Sequence, residues 1–206
     1  MISIVTVDRE YGSGGPAIAH KLAGRLGWAL WDERLTREIA RLAECDLAAV
    51  KGREERKDPL YYRLVKSFLH GSFEGNLMAH RLAPLDTDRV FALTERVVRN
   101  AADAKDCVIV GRGSTHFLRD RPDAYHVFIY APFEEKVRRE REAGRSAAQA
   151  AKLVETVDRE RAAFIKQYFG LEWPYRSLYH LMVNSRIGEE AAVRTIVEGM
   201  NVIANR

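Results

Sequence analysis

Short apolar runs alternate along this chain with longer segments in which apolar residues recur at helical spacing. The runs, rich in branched and aromatic residues, predict buried strands at 2–7, 28–31, 107–110, 125–130 and 181–183. The periodic segments predict helices at 16–26, 33–42, 60–68, 87–104, 133–142, 147–168 and 189–203. Alternation of this kind is typical of an α/β fold in which helices cover both faces of a mostly parallel sheet.

Polar and glycine-rich residues follow the predicted strands. In parallel sheets, ligands bind beyond the carboxyl ends of the strands. We therefore expect a binding edge built from 8–15, Asp32, 111–114, Ala131 and Asn184. Residues 50–58 form a charged, turn-prone stretch that is expected to be poorly ordered, and 71–88 reads as irregular.

The loop after the first strand is rich in glycine and consists of Gly12, Ser13, Gly14 and Gly15. Glycines let a backbone close on phosphate oxygens, and the helix start that follows offers unpaired N–H groups. A tight turn without a ligand is the alternative. The loop also lacks the Lys-Ser/Thr pair that a standard nucleoside-triphosphate loop places next.

Arginines form the second candidate feature. Arg112 lies between Gly111 and Gly113 after the 107–110 strand, where its planar fork suits a phosphate better than a packing role. A surface arginine beside a flexible turn is the alternative. Asp158 and Arg161 are spaced to share a helix face, although a solvated ion pair has the same spacing. Arg138 and Arg139 precede a Gly144-Arg145 loop that could belong to a lid, and a solvated helix face is again the alternative.

Composition narrows the class of ligand. The 206 residues are 47% hydrophobic, carry a net charge of +4 and have a pI near 9.1, a balance that favours anionic ligands. The positive charge is dispersed, which makes nucleic acid an unlikely partner, and no apolar run approaches the roughly 20 residues of a membrane span. Cys45 and Cys107 have no metal-like spacing, so we expect reduced thiols and a cytoplasmic protein.

The ordered set of motifs resembles the cytidylate kinase-like family, a branch of the P-loop nucleoside monophosphate kinases. The motifs are T-V-D-R-E-Y-G-S-G-G, W-D-E-R-L, V-I-V-G-R-G-S, H-V-F-I-Y-A-P-F-E-E-K-V-R-R, D-R-E-R and Y-H-L-M-V-N-S-R. They keep the family's order over nearly the whole chain. The resemblance implies one three-layer, P-loop-type domain over 1–206, with a monophosphate-binding insert at about 33–88 and a lid at about 138–160.

The resemblance also implies roles for individual residues. Gly12, Ser13, Gly14 and Gly15 match the loop that wraps the ATP phosphates. The acceptor-binding positions implied are Asp32, Arg37, Arg112, Asp158 and Arg161, with Asp158 directed at a cytosine edge and Arg112 and Arg161 at the acceptor phosphate. The implied catalytic residues are Arg138 and Arg139, and the resemblance implies Mg²⁺ with ATP. To these we add Arg9 as a third catalytic candidate and Asp8, the acid that remains at the entry of the loop, as the candidate Mg²⁺ ligand.

Departures from the family pattern leave two interpretations open. Gly15 stands where these kinases carry lysine, Pro16 and Ala17 replace the metal-binding hydroxyl, and Val110 and Gly113 stand where aspartates are common. Arg9 or a lid arginine could supply the missing charge, whereas Lys21 lies too far along the helix. The chain is then either a kinase that moves the γ-phosphate of ATP to a nucleoside monophosphate such as CMP, or a catalytically degenerate nucleotide-binding module that acts as a sensor or partner-binding domain.

Overall fold

The sheet is parallel throughout and has five strands in the order β2-β3-β1-β4-β5. The structure, a computed structural model, describes residues 1–50 and 87–204. The strands are β1 (Ile4–Arg9), β2 (Ala29–Trp31), β3 (Cys107–Val110), β4 (Ala124–Tyr130) and β5 (Leu181–Asn184). Because all of them run in one direction, their carboxyl ends meet at one edge, as the sequence predicted.

Seven helices accompany the sheet within the described residues. They are α1 (Gly15–Leu26), α2 (Glu33–Val50), α3 (Thr87–Asp103), α4 (Ser114–Phe117), α5 (Phe133–Glu142), α6 (Ala147–Phe169) and α7 (Glu189–Ala204), with short 3₁₀ turns at Arg176–Leu178 and Ser185–Ile187. None of the described helices is both long and apolar enough to cross a bilayer.

Alternate residues of β1 feed two separate hydrophobic cores. Ile4 packs on one face of the sheet with Ile39 of α2 and Val98 of α3. Val5 and Val7 point to the opposite face, where α1 and α7 supply the packing partners. Strands buried on both sides explain the continuous apolar runs in the sequence and confirm the predicted α/β fold.

The predicted elements are confirmed, with a few shifted boundaries. Strand β1 ends at Arg9 rather than residue 7, so Asp8 and Arg9 belong to the strand. Helix α2 continues to Val50 instead of ending near 42, because the helix formers Ala, Leu and Glu carry on through this segment. The short helix α4 was not predicted. The predictions for 60–68, for most of 50–58 and for most of 71–88 fall outside the described residues.

Helices α5 and α6 pack against each other and contact the glycine loop at the carboxyl edge of the sheet. Ser146 begins α6 as predicted, with a capping box in which its hydroxyl accepts from the Gln149 N–H at 3.3 Å. The lid region predicted at 138–160 corresponds to the end of α5 and the first half of α6. The fold therefore brings this region to the predicted binding edge.

Candidate functional site

The glycine loop, Gly12–Gly15, turns from β1 into α1. Gly12 has a φ of +73°, and a Cβ there would lie 3.1 Å from the Cβ of Lys136, so only glycine lets α5 approach this closely. Ser13 is buried, and its hydroxyl donates to the Glu10 carbonyl at 2.8 Å. Gly14 precedes the helix and has no side chain to cap it. The first-turn N–H groups are therefore presented in the arrangement that receives phosphate oxygens.

Arg139 lies across this loop. Its Nη1 donates to the Gly12 carbonyl at 3.2 Å and to the Ser185 hydroxyl at 3.1 Å. The preceding Arg138 is exposed and pairs with Glu135 and Glu142 on its own helix. Of the two lid arginines predicted from the sequence, the structure brings Arg139 to the loop and leaves Arg138 on the solvent side.

Lys136 is a buried cation at the loop that sequence reasoning missed. Its ammonium lies 3.0 Å from a carboxylate oxygen of Glu10 and 3.3 Å from one of Asp158. Only 8% of the residue is exposed. Its spacing from Arg139 could have predicted this position, because residues three apart on a helix share one face and Arg139 also contacts the loop.

Asp158 connects the loop with α6. Its Oδ1 accepts from the backbone N–H of Tyr11 at 2.7 Å and from Nη1 of Arg161 at 3.2 Å. Burial raises the pKa of this carboxyl, against the lowering effect of Arg161, of the Tyr11 N–H and of Lys136. The predicted contact with a cytosine edge therefore competes with these loop contacts.

A cleft with three buried arginines adjoins the loop, and we call it the arginine cleft. Its volume is about 350 Å³ including the open mouth, and its lining residues are Asp8, Arg9, Arg112, Gly113, Arg161, Phe164, Ile165 and Trp173. The exposed fractions of Arg9, Arg112 and Arg161 are 3%, 2% and 9%. Burial lowers the pKa of Arg112 and of Arg161 to about 10, and the charge of Arg9 adds to both effects. Arg112 and Arg161 therefore remain cations at neutral pH.

Backbone conformation directs Arg112 into the cleft. Its φ is +55°, between Gly111 at +62° and Gly113 at +67°. A left-handed arginine costs about 1–2 kcal/mol, and such outliers concentrate at functional sites. Its Nη2 donates to the Thr36 hydroxyl at 2.8 Å, and its Nη1 lies 3.5 Å from Asp32 Oδ1. Asp32 and Arg112, two of the predicted acceptor-binding residues, thus lie together, and Thr36, which the sequence did not single out, is a second partner of the same guanidinium.

Arg161 is oriented by the strand that carries Arg9. Its Nη1 donates to the carbonyl of Arg9 at 2.9 Å as well as to Asp158. Arg37, by contrast, lies on the exposed side of α2, where its nearest charged partner is Glu33 at 4.0 Å. Lys21 is also a surface residue, paired with Glu189 and Glu190 of α7.

Asp8 forms the acidic end of the cleft, and its carboxylate is engaged by neighbouring donors. Its Oδ2 accepts from the Tyr179 hydroxyl at 2.8 Å and from the Trp173 indole at 3.1 Å, while Oδ1 accepts from the Arg9 N–H at 2.9 Å. Burial and the charge of Asp8 raise the pKa of Tyr179, which keeps this donor protonated.

These contacts bear on the predicted magnesium site. Asp8 would have to exchange Tyr179 and Trp173 for a metal, and the described residues contain no group of three or more His, Cys, Asp or Glu side chains suited to an ion. Ser13 uses its hydroxyl within the loop, and Pro16 and Ala17 have no side-chain oxygen. The described side chains therefore do not form a magnesium cage of their own, and an ion that accompanies ATP would take most of its ligands from phosphates and water.

Comparison of the sequence with known families decides the classification. The sequence model of the cytidylate kinase-like family matches residues 4–187, which include every described residue of the glycine loop and of the arginine cleft. The chain belongs to the cytidylate kinase-like family. No curated protein matches the sequence.

Solved structures show the same fold. An uncharacterized protein from Eubacterium ventriosum superimposes with a TM-score of 0.69 at 19% identity, over 98% of this chain and 99% of that one. Shikimate kinase from Bacteroides thetaiotaomicron gives 0.54 at 14% identity, over 96% and 98% of the two chains. Shikimate kinase from Acinetobacter baumannii, solved in complex with shikimate, gives 0.53 at 18% identity, over 100% and 96%. At these identities the likeness establishes a kinase-type α/β fold.

Proposed function

We propose that this cytidylate kinase-like protein is a phosphotransferase that moves the γ-phosphate of ATP to a nucleoside monophosphate such as CMP. The observation that carries the proposal is the convergence of Arg9, Arg112 and Arg161, all buried, beside a glycine loop at the carboxyl edge of the sheet. Membership of the family supports a nucleotide kinase-like module. The choice of CMP rests on the resemblance.

The donor side of the proposed site is the glycine loop. Gly12–Gly15 would receive the ATP phosphates, and Arg139, already hydrogen-bonded to the Gly12 carbonyl, would add positive charge beside them. The acceptor side is the arginine cleft, where Arg112 and Arg161 would hold the monophosphate. Asp32 and Thr36 would keep the Arg112 fork in place.

The proposed reaction is a direct displacement at phosphorus. An oxygen of the acceptor phosphate forms a bond to the γ-phosphorus while the bond from that phosphorus to the β–γ bridging oxygen breaks, which gives ADP and a nucleoside diphosphate. The negative charge on the transferring group is the main contribution to the activation barrier. Proteins lower this barrier with cations that are held in position before the reaction begins. The roles of Asp8 with Mg²⁺, of Arg37 and of Arg138 stay predictions.

A steady-state assay with ATP and a panel of nucleoside monophosphates tests the proposal. Arg112→Gln should lower kcat/KM for the acceptor by about 100-fold, since a charged hydrogen-bond partner of this kind contributes about 3 kcal/mol. Arg119→Gln, at an exposed arginine outside the site, is the matched control and should leave the rate unchanged. Absence of transfer to every acceptor would overturn the proposal.

A nucleotide-binding module without catalysis is the second candidate. Pro16 and Ala17 in place of the hydroxyl, and the engagement of Asp8 by Trp173 and Tyr179, favour it. Calorimetry distinguishes the two functions. Binding of ATP without phosphate transfer would support the module, whereas transfer would exclude it.

A further inference from the structure

We propose that Arg9 replaces the lysine that the glycine loop lacks, by forming an anion subsite that joins the glycine loop to the arginine cleft and takes an anionic phosphoryl group. Only the identity of the phosphorylated ligand rests on the proposed function. The subsite itself is argued from burial, unpartnered donors, steric fit and charge.

Arg9 is a buried cation with donors to spare. The residue is 3% exposed, and within the described residues its Nε and Nη2 have no hydrogen-bond partner. A buried donor without a partner costs about 1–3 kcal/mol, and more when the group is charged. A side chain kept in this condition, and lining an open cleft, is suited to a ligand that supplies the missing acceptors.

Two glycines form the slot through which Arg9 passes. A Cβ on Gly15 would lie 2.7 Å from both Cβ and Cγ of Arg9, and a Cβ on Gly111 would collide with Nη1 and lie 2.9 Å from Cζ. Any other residue at either position would displace the arginine. Gly15, the position at which related kinases carry lysine, thus makes room for a cation that reaches the same region from the strand.

The slot also explains why the subsite spans both halves of the site. Gly15 is the first residue of α1 and belongs to the glycine loop, whereas Gly111 opens the turn that carries Arg112. The aliphatic part of Arg9 touches the first loop and its guanidinium touches the second. One planar fork is therefore placed between the proposed donor and acceptor phosphates.

The groups that line the cleft favour an anion. The cleft is lined by three guanidinium groups and by one carboxylate, that of Asp8, which already accepts from Tyr179, Trp173 and the Arg9 N–H. Arg112 and Arg161 each have an acidic neighbour, Asp32 and Asp158 respectively. Arg9 has two donor atoms, Nε and Nη2, without a hydrogen-bond partner among the described residues, and planar guanidinium forks match the oxygens of a phosphoryl group.

Calorimetric titration with inorganic pyrophosphate tests the subsite without requiring catalysis. The wild-type protein should bind pyrophosphate, and Arg9→Gln should weaken binding at least tenfold. Gly15→Ala should weaken it similarly, because the added methyl group displaces Arg9 while every charge is kept. Gly24→Ala is the matched control on the same helix, where a Cβ meets nothing within 4 Å, and should bind as the wild type does.

Thermal unfolding supplies a readout that a merely structural arginine would not give. Because Arg9 is an unsatisfied buried cation, Arg9→Met should raise the Tm of the ligand-free protein and abolish the rise that pyrophosphate causes in the wild type. The subsite is wrong if Arg9→Gln or Gly15→Ala binds pyrophosphate as tightly as the wild type does. It is also wrong if ligand-free Arg9→Met has a lower Tm than the wild type.

The subsite and the proposed phosphotransferase fail in different ways. If pyrophosphate binding depends on Arg9 but the protein transfers no phosphate, the proposed phosphotransferase activity is wrong and the subsite is supported. If Arg9→Gln transfers phosphate at the normal rate, the subsite is wrong and the phosphotransferase activity is supported.

Discussion

The backbone N–H of Tyr11 donates a 2.7 Å hydrogen bond to Oδ1 of Asp158, which joins the glycine loop to helix α6. The same carboxylate lies within 3.3 Å of the Lys136 ammonium and 3.2 Å of the Arg161 guanidinium. One acid therefore connects the loop, α5 and the arginine cleft. A change at Asp158 is expected to affect all three together.

Replacement of Asp158 by asparagine should destabilise the protein by about 2 kcal/mol, because two largely buried cations lose their shared counter-ion. The free energy of unfolding in urea measures the effect. Asp120→Asn, at an exposed aspartate, is the control and should change it by less than about 0.5 kcal/mol. Equal, small losses in the two variants would show that the Asp158 contacts contribute little.

Thr36 should matter for the acceptor although no motif marks it. Thr36→Val keeps the shape of the side chain but removes the acceptor of the Arg112 Nη2 hydrogen bond. We expect KM for the acceptor to rise about tenfold, the equivalent of about 1.4 kcal/mol, with a smaller change in kcat. Thr195→Val, at an exposed helical threonine whose hydroxyl donates to the Ala191 carbonyl, should leave KM unchanged. A fall in kcat alone would contradict the positioning role.

Tyr11 should hold α5 against the loop. Its hydroxyl donates to Glu140 at 3.0 Å, and burial raises the pKa of this phenol to about 12, so the donor stays protonated at neutral pH. Tyr11→Phe should cost about 1 kcal/mol locally and speed amide hydrogen exchange in α5 without a matching change in α7. Unchanged exchange in α5 would show that the bond does not restrain the helix.

His126 should make stability fall in mild acid. Burial, with a smaller effect of the His180 charge, lowers the pKa of His126 from 6.5 to about 4, and its Nδ1 lies 2.7 Å from the Thr6 hydroxyl. Between pH 6.5 and 4 the unfolded chain takes up a proton that the folded protein does not, so the free energy of unfolding decreases as the pH falls. The decrease due to this group is about 3 kcal/mol at most.

Unfolding curves across that pH range check the expectation. His126→Gln should reduce the dependence of the free energy of unfolding on pH between 6.5 and 4. His20→Gln, at an exposed histidine, should leave that dependence unchanged. An unchanged slope in His126→Gln would assign the acid sensitivity to other groups.

The sequence was sufficient for the sheet and for the loops at its carboxyl edge. Strands β1, β3 and β4 are buried on both faces, so their runs are mostly apolar, with Thr6 and His126 as polar residues inside them. Glycine marks the turns after β1 and β3. Helix α5 was predicted with the bounds that the structure shows, because Pro132 precedes it and Gly144 follows it closely. These features depend on residues that are close together in the sequence, so the sequence alone predicts them.

The contacts that shape the site were less accessible. Tyr179 meets Asp8 across 171 residues, and Arg112 meets Thr36 across 76 residues, separations at which no spacing rule applies. Arg138 and Arg139 looked equivalent in the sequence, yet neighbours on a helix point about 100° apart, so only one could face the loop. Nothing in the sequence singled out Lys136, whose two carboxylate partners, Glu10 and Asp158, come from distant segments of the chain.

A crystal structure with a non-hydrolysable ATP analogue and CMP would show directly whether the glycine loop and the arginine cleft hold phosphates. We expect the CMP phosphate at hydrogen-bonding distance, about 3 Å, from Arg112 and Arg161, with the terminal phosphates of the analogue against Gly12–Gly15 and Arg9. An arginine cleft that is empty at saturating concentrations of both ligands, or phosphates bound elsewhere on the protein, would contradict it.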